Sequence, residues 1–189
     1  MTILRAALLC LFFIPFVATA QYKSKLNREQ WVDSVFNSLS DDQRIAQLMV
    51  IRAHSNLGPD HVAKVVNDIR QYNVGALCFF QGGPIRQANQ TNYYQSIAKT
   101  PLMVTIDGEW GLGMRLDSVT KYPYQLTMGA INDENLVYRM GVAIGEQCKR
   151  IGVHVNYAPV IDINNNPNNP VIGYRSFGED KDKVSKYGV

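Results

Sequence analysis

The chain has 189 residues, 46% of them apolar and 19% charged, with a formal net charge of +3. A balance this close to neutral excludes a polybasic nucleic-acid binder. Three cysteines do not make a disulfide framework and three histidines without ligand spacing give no zinc site, so neither a metal nor a cofactor is expected.

Residues 1–20 read as a targeting segment. Arg5 supplies the positive charge, Ala6 to Val17 is an apolar run interrupted by Pro15, and Ala18-Thr19-Ala20 gives the small residues a signal peptidase reads. The run is short of the roughly 20 apolar residues of a permanent span; a retained N-terminal anchor is the alternative reading. Leu8-Leu9 ahead of Cys10 lacks the small residue of a lipoprotein signal. The mature chain is expected to start at Gln21, after cleavage near Ala20, in the periplasm or outside the cell. Of the cysteines that remain, Cys78 and Cys148 lie in apolar contexts that read as buried free thiols. Export would permit a bond between them.

No low-complexity tract divides residues 21–189, which read as one folding unit. Asn27 to Leu39 carries Trp31, Val35, Phe36 and Leu39 at helical spacing. Ser40 and Gln43 have the spacing of a capping box for a helix running toward Leu48. Alternation follows. Leu48–Ile51 is a strand-length apolar run, Asp60–Tyr72 a helix, and Val74–Phe80 a second strand closed by Gly82-Gly83-Pro84. Ile85–Ala98 is helical and contains the short glycosylation sequon Asn89-Gln90-Thr91. Pro101–Ile106 is a third strand ending on Asp107. Asp133–Ile151 is a long helix with Leu136, Met140, Ala143, Ile144 and Cys148 inward, and Val153–Ile161 a fourth strand ending on Asp162.

Continuous apolar strands between amphipathic helices mean a parallel sheet covered by helices. An open doubly wound sheet and a closed eight-fold barrel both fit that pattern. No Gly-rich phosphate fingerprint follows the first strand, which counts against a dinucleotide fold. Polar residues instead gather after strands three and four, where a barrel keeps its active site. The fold class is therefore an α/β (β/α)8 TIM-type barrel, of which roughly the first half is present; a whole barrel takes about 250 residues.

Two segments hold the chemistry. In Thr105-Ile106-Asp107-Gly108-Glu109-Trp110-Gly111-Leu112-Gly113-Met114-Arg115, an acidic residue at a strand tip faces the barrel mouth. Asp107 there can accept hydrogen bonds from two adjacent sugar hydroxyls, or it can cap the next helix. In the second segment, Asp162, Asn164 and Asn166 mimic the start of a calcium loop. Pro167 and Gly173 then break the pattern. The asparagines and prolines suit a long irregular loop held by side-chain-to-backbone bonds. That loop projects Arg175, as a hydroxyl-binding fork or as half of a structural ion pair. His154, inside the fourth strand, reads as a hydrogen-bonded core or helix-facing residue.

The first segment resembles the IDxEGG…R signature of glycoside hydrolase family 3. The second, from Ala158-Pro159-Val160 to Arg175-Ser176-Phe177-Gly178-Glu179-Asp180, is similar to that family's APVxDxNxxPxNPVIGxRSFGED stretch. The likeness runs over residues 38–189 and leans toward the β-N-acetylglucosaminidase branch. It implies a retaining exo-β-glycosidase acting on amino-sugar glycans, with Asp107, Arg115 and Arg175 as substrate-binding residues and Asp162 as mainly structural. Trp110 replaces a glycine of the signature, and Leu112 stands where many members carry another arginine. The resemblance further implies an acid/base histidine on a Lys-His-Phe-Pro-Gly-His-like loop and a nucleophilic aspartate. Both are expected beyond Val189, so the 189-residue chain alone is expected to be inactive. A β-glucosidase or β-xylosidase, and a non-catalytic sugar-binding remnant, are the competing readings.

Overall fold

The computed structural model describes residues 26–189, so the expected targeting segment, Cys10 and the cleavage point lie outside the described residues. The chain divides into two compact units, the boundary falling after Phe36. Helix α1 spans Arg28–Asn37, all but its last residue in the first unit, and none of its residues is buried. Everything that follows belongs to the second unit.

Helix α2 (Asp41–Ala46) opens on the capping box the sequence predicts. The Gln43 backbone N–H donates to Ser40 Oγ at 3.3 Å, and the Ser40 N–H donates to Gln43 Oε1 at 3.4 Å. Its last turn persists beyond Ala46, with the Leu48 and Met49 N–H groups donating to the carbonyls of Ile45 and Ala46. Those bonds hold Leu48 out of the sheet, 81% exposed, and delay strand β1 to Val50–Ala53 rather than Leu48–Ile51.

The core alternation then appears with small shifts at the ends. Helix α3 (Pro59–Tyr72) starts on a proline, whose missing N–H is no loss in a first turn, and stops at Asn73 in the left-handed conformation. Strand β2 is Ala76–Phe79, helix α4 Pro84–Ile97 and strand β3 Met103–Ile106. Asn89 is exposed on α4, whereas the Thr91 of its sequon is buried. After a short helix α5 (Gln125–Gly129), helix α6 covers Glu134–Arg150, with the Asp133 carboxylate accepting from the Asn135 N–H as its N-cap. Leu136 is exposed and Val137 takes the inward place, one residue round the helix from the expected face.

The four strands pair in parallel, in sequence order, with Ala76 opposite both Val50 and Met103. Leu77, Phe79, Val104 and Ile106 are fully buried beneath Val65 and Ile69 of α3, Tyr94 of α4 and Cys148 of α6. These are successive βα units of a (β/α)8 barrel, about half of the full set. Cys78 and Cys148 are both free thiols. Among the described residues no helix is long and apolar enough to cross a membrane.

Strand β4 departs from the sequence reading. It covers only Val155–Asn156, not Val153–Ile161. Its partner β3 ends at Ile106, Tyr157 N–H makes one more bond to the Ile106 carbonyl, and Pro159 has no N–H to continue a ladder. Ile161 is consequently 63% exposed, and Asp162 lies in the irregular segment instead of at a strand tip. His154 precedes the strand. Its backbone N–H donates to the Val104 carbonyl and its Nδ1 accepts from the Val104 N–H, as expected of a hydrogen-bonded residue. It is nevertheless exposed, since β4 beside it has no further strand on its other side among the described residues. Beyond it, a 3-10 turn at Gly173–Arg175 leads into helix α7 (Lys181–Gly188), and Met128, Val137, Phe177 and Val184 form a second, smaller core.

Candidate functional site

The residues with chemistry collect at the C-terminal ends of the strands. Asp107 directly follows β3, and its carboxylate forms an ion pair with Arg115 Nη2. Arg115 Nε also donates to the Asp107 backbone carbonyl at 2.6 Å. The Arg115 guanidinium lies over the ring of Phe80, the residue after β2, with 4.6 Å to the ring centroid. Phe80 in turn stacks on His54, the residue after β1, with ring centroids 5.7 Å apart. The tips of three strands thus build one layered wall. Asp107 caps no helix: the following 3-10 turn (Leu112–Met114) has Gly111 at its N-cap.

The loop carrying Asp107 is pinned along its length. Asn156 on β4 closes both polar groups of Gly108, its Oδ1 accepting from the N–H at 2.9 Å and its Nδ2 donating to the carbonyl at 3.0 Å. Gln125 Nε2 donates to the Glu109 carbonyl at 2.6 Å. On the far side, Gly82 N–H donates to the Arg115 carbonyl, and Asp117 N–H donates to the Gly82 carbonyl. Only glycine fits at Gly82, since a Cβ there would lie 1.8 Å from Ser55 Oγ.

Arg175 arrives from the loop after β4. The asparagines of that loop work through backbone contacts: Asn166 Oδ1 accepts from the Asn168 N–H, and Asn169 Oδ1 from Val171 and Ile172. Asp162, Asn164 and Asn166 therefore serve as loop scaffolding, with the Asp162 carbonyl accepting from Ser176 Oγ. Arg175 Nε donates to Glu109 Oε2 at 2.8 Å while Nη2 donates to Oε1, a two-pronged pair. These hydrogen bonds raise the Arg175 pKa against the opposing effect of burial, and the charges of Glu109, Asp107 and Asp162 add to the rise. Arg175 is thus bound in an ion pair and also shares the field of Asp107.

The three expected residues occupy the same end of the sheet, in partly open positions. The Asp107 and Arg175 side chains are each 29% exposed and that of Arg115 is 15% exposed. Glu109, only 6% exposed, is the residue the sequence reading passed over. Its one signal was its place as a second acidic residue two positions after Asp107 on the same loop. Trp110 packs edge-on to Tyr124 at 4.7 Å, and Tyr124 lies 4.6 Å from Tyr174, so an aromatic cluster joins the two loops.

His61 and His154 each accept from a backbone N–H. His61 Nε2 accepts from the His54 backbone N–H at 3.0 Å, and burial holds both imidazoles below their ordinary pKa, with Arg52 and the neighbouring charges adding to it. Among the described residues no group of three His, Cys, Asp or Glu side chains could hold a metal. Burial likewise pushes the Cys78 and Cys148 thiols up, away from the reactive thiolate.

The chain is similar to known proteins. β-Hexosaminidase A of Pseudoalteromonas piscicida is 31% identical over 134 residues, which is 64% of this chain and 22% of that protein. The structure of a family 3 β-N-acetylglucosaminidase from Paenibacillus sp. FPU-7 superposes with a TM-score of 0.69 at 32% identity, over 79% of this chain and 30% of that one. The β-glucoside phosphorylase BglX superposes with a TM-score of 0.77 at 26% identity, over 86% of this chain and 29% of that one. The chain therefore spans less than a third of the length of each of these. The pattern of the glycosyl hydrolase family 3 N terminal domain matches residues 40–189, continuous from the capping box of α2 to the end of α7, and the chain belongs to that family.

Proposed function

We propose that this chain supplies the sugar-binding half of a retaining exo-β-glycosidase, of β-N-acetylhexosaminidase type, that removes terminal N-acetylglucosamine from amino-sugar glycans such as peptidoglycan or chitin pieces. One observation carries the proposal: Asp107 and two arginine forks converge at the strand ends, all partly open to solvent. The Asp107 carboxylate has acceptor capacity beyond Arg115 and suits two neighbouring hydroxyls of a pyranose. Arg115 keeps its Nη1 edge for a further sugar oxygen, and Arg175 keeps part of its own. The likeness to proteins named hexosaminidase or N-acetylglucosaminidase supports the amino-sugar substrate.

The arrangement holds a sugar and does not itself break a bond. In a retaining mechanism an acid protonates the glycosidic oxygen while a carboxylate attacks the anomeric carbon and the aglycone departs. Water then attacks that carbon, giving its proton to the former acid and displacing the carboxylate. We assign both reacting groups to residues beyond Val189, and residues 1–20 to export from the cytoplasm. A protein containing the complete barrel is expected to hydrolyse a terminal β-N-acetylglucosaminide in preference to the matching glucoside and xyloside, and residues 21–189 alone are expected to hydrolyse none. Equal or better turnover of the glucoside would transfer the reading to a β-glucosidase, and the likeness to a β-glucoside phosphorylase supports a glucoside as the substrate. Binding without turnover of any of the three would support a sugar-binding remnant.

A further inference from the structure

Asp107 and Glu109 stand two residues apart beside two arginines, and a pair of carboxylates invites assignment as the acid and nucleophile of a glycosidase. The geometry points elsewhere: we infer that Glu109 is a positioning residue that fixes the Arg175 fork toward the sugar, and that it takes no part in proton transfer or bond making. The inference rests on the proposal above that Arg175 contacts substrate.

Both Glu109 oxygens are occupied, Oε2 by Arg175 Nε at 2.8 Å and Oε1 by Nη2, and the side chain is only 6% exposed. A general acid must carry its proton at the working pH. Both Glu109 oxygens instead accept from the one guanidinium, which leaves neither free to hand a proton to a glycosidic oxygen. A nucleophile must reach an anomeric carbon, and this carboxylate is covered by its own partner. Its backbone is as fixed as its side chain, with the carbonyl held by Gln125 and the N–H turned onto Met114 Sδ at 3.2 Å. The preceding Gly108 is locked to Asn156 at both polar groups. Glu109 is therefore a rigid post on the β3 loop to which the β4 loop is tied.

The consequence lies in what Arg175 has left. Of its five N–H donors, Glu109 takes two and the Val171 carbonyl takes one on Nη1 at 3.3 Å. Two donors remain, one on Nη1 and one on Nη2. An unheld arginine side chain loses rotamer entropy when it is ordered. The Glu109 pair settles most of that before a sugar arrives.

The test is a double-mutant cycle on the protein with the complete barrel, using a terminal β-N-acetylglucosaminide. Glu109→Gln is expected to lower kcat/KM about 10- to 100-fold with both limbs of the pH profile intact. The double variant with Arg175→Ala is expected to be no worse than Arg175→Ala alone. Loss of a pH limb, or fully additive losses, overturns the inference. Arg175→Lys, at a partly exposed position, covers the case in which Glu109→Gln does not fold. It keeps the charge but not the fork, and activity within twofold of the parent overturns a two-pronged role. Undiminished kcat/KM in Arg175→Ala removes Arg175 from the site and the inference with it. If the parent protein turns over no β-glycoside, the glycosidase reading fails, and the clamp is then read from hydrogen exchange at Arg175 Nε–H. Slow exchange that becomes fast in Glu109→Gln supports the clamp, and equal exchange in both refutes it.

Discussion

Replacing Asp107 by alanine separates binding chemistry from scaffolding. The carboxylate is expected to accept from two sugar hydroxyls, and hydrogen bonds to a charged group are each worth about 1.5–3 kcal/mol. Their joint loss, about 3–6 kcal/mol, corresponds to a fall of roughly 10²- to 10⁴-fold in kcat/KM, since about 1.4 kcal/mol is tenfold. Stability should change far less. The Asp107 side chain is 29% exposed, so the ion pair with Arg115 is screened by water. After truncation Arg115 still donates through Nε to the residue-107 backbone carbonyl at 2.6 Å and still covers the Phe80 ring. A cost of about 1 kcal/mol covers the lost exposed pair. The assay pairs initial rates on a terminal β-N-acetylglucosaminide with urea unfolding of the same preparations. A variant that folds normally and keeps kcat/KM within tenfold of the parent would falsify the placement of Asp107 in the sugar site. A variant that unfolds by several kcal/mol would show that the pair is chiefly structural.

Three further outcomes follow from the scaffold. Tyr94 is fully buried with no hydrogen-bond partner for its hydroxyl among the described residues, so Tyr94→Phe should shift the urea midpoint little, whereas Tyr94→Ala should cost about 3–5 kcal/mol. Burial pushes the Tyr94 hydroxyl up to about 12 from an ordinary 10. The folded state therefore favours the protonated form: this contribution to stability is whole below pH 10 and lost as the pH rises toward 12, so the Phe variant should resist alkaline unfolding better; equal losses in both proteins over that window would sink the argument. Gly82→Ala would set a Cβ 1.8 Å from Ser55 Oγ and should cost about 1–3 kcal/mol, with partial recovery in a Ser55→Gly background; a cost unchanged by that second substitution would mean the clash lies elsewhere. Ser40→Ala removes one half of the α2 capping box and should lower stability by about 1 kcal/mol in thermal unfolding, and an unchanged Tm would show the cap to be idle.

The alternation of elements was legible because local rules and packing agree there. The capping box, the helix expected from Asp60 and the buried runs of β2 and β3 each follow from residue type alone, and each appears within a residue or two of its expected place. Strand β4 was misjudged because an apolar run is only permission to form a strand. Length is set by the partner, and β3 turns away after Ile106 into the loop that carries Asp107. The same dependence explains Leu48, which is apolar yet exposed because the last turn of α2 claims its backbone.

The site was legible by halves for a related reason. Asp107 and Arg115 lie eight residues apart on one loop, and their meeting needs only that loop to fold back, which its glycines permit. Arg175 and Glu109 lie 66 residues apart, and no periodicity links them. Their pairing depends on β3 and β4 being neighbours, so that the loops leaving the two strands rise side by side. Once that adjacency is known, a buried carboxylate two residues past a strand tip requires a cation from the next loop, since an unpaired charge there would be costly. The loop after β4 carries Arg175, and its bound asparagines fix where that arginine starts. The cluster of charged residues at the strand ends is thus written across loops distant in sequence, and the order of the strands is what brings the pieces together.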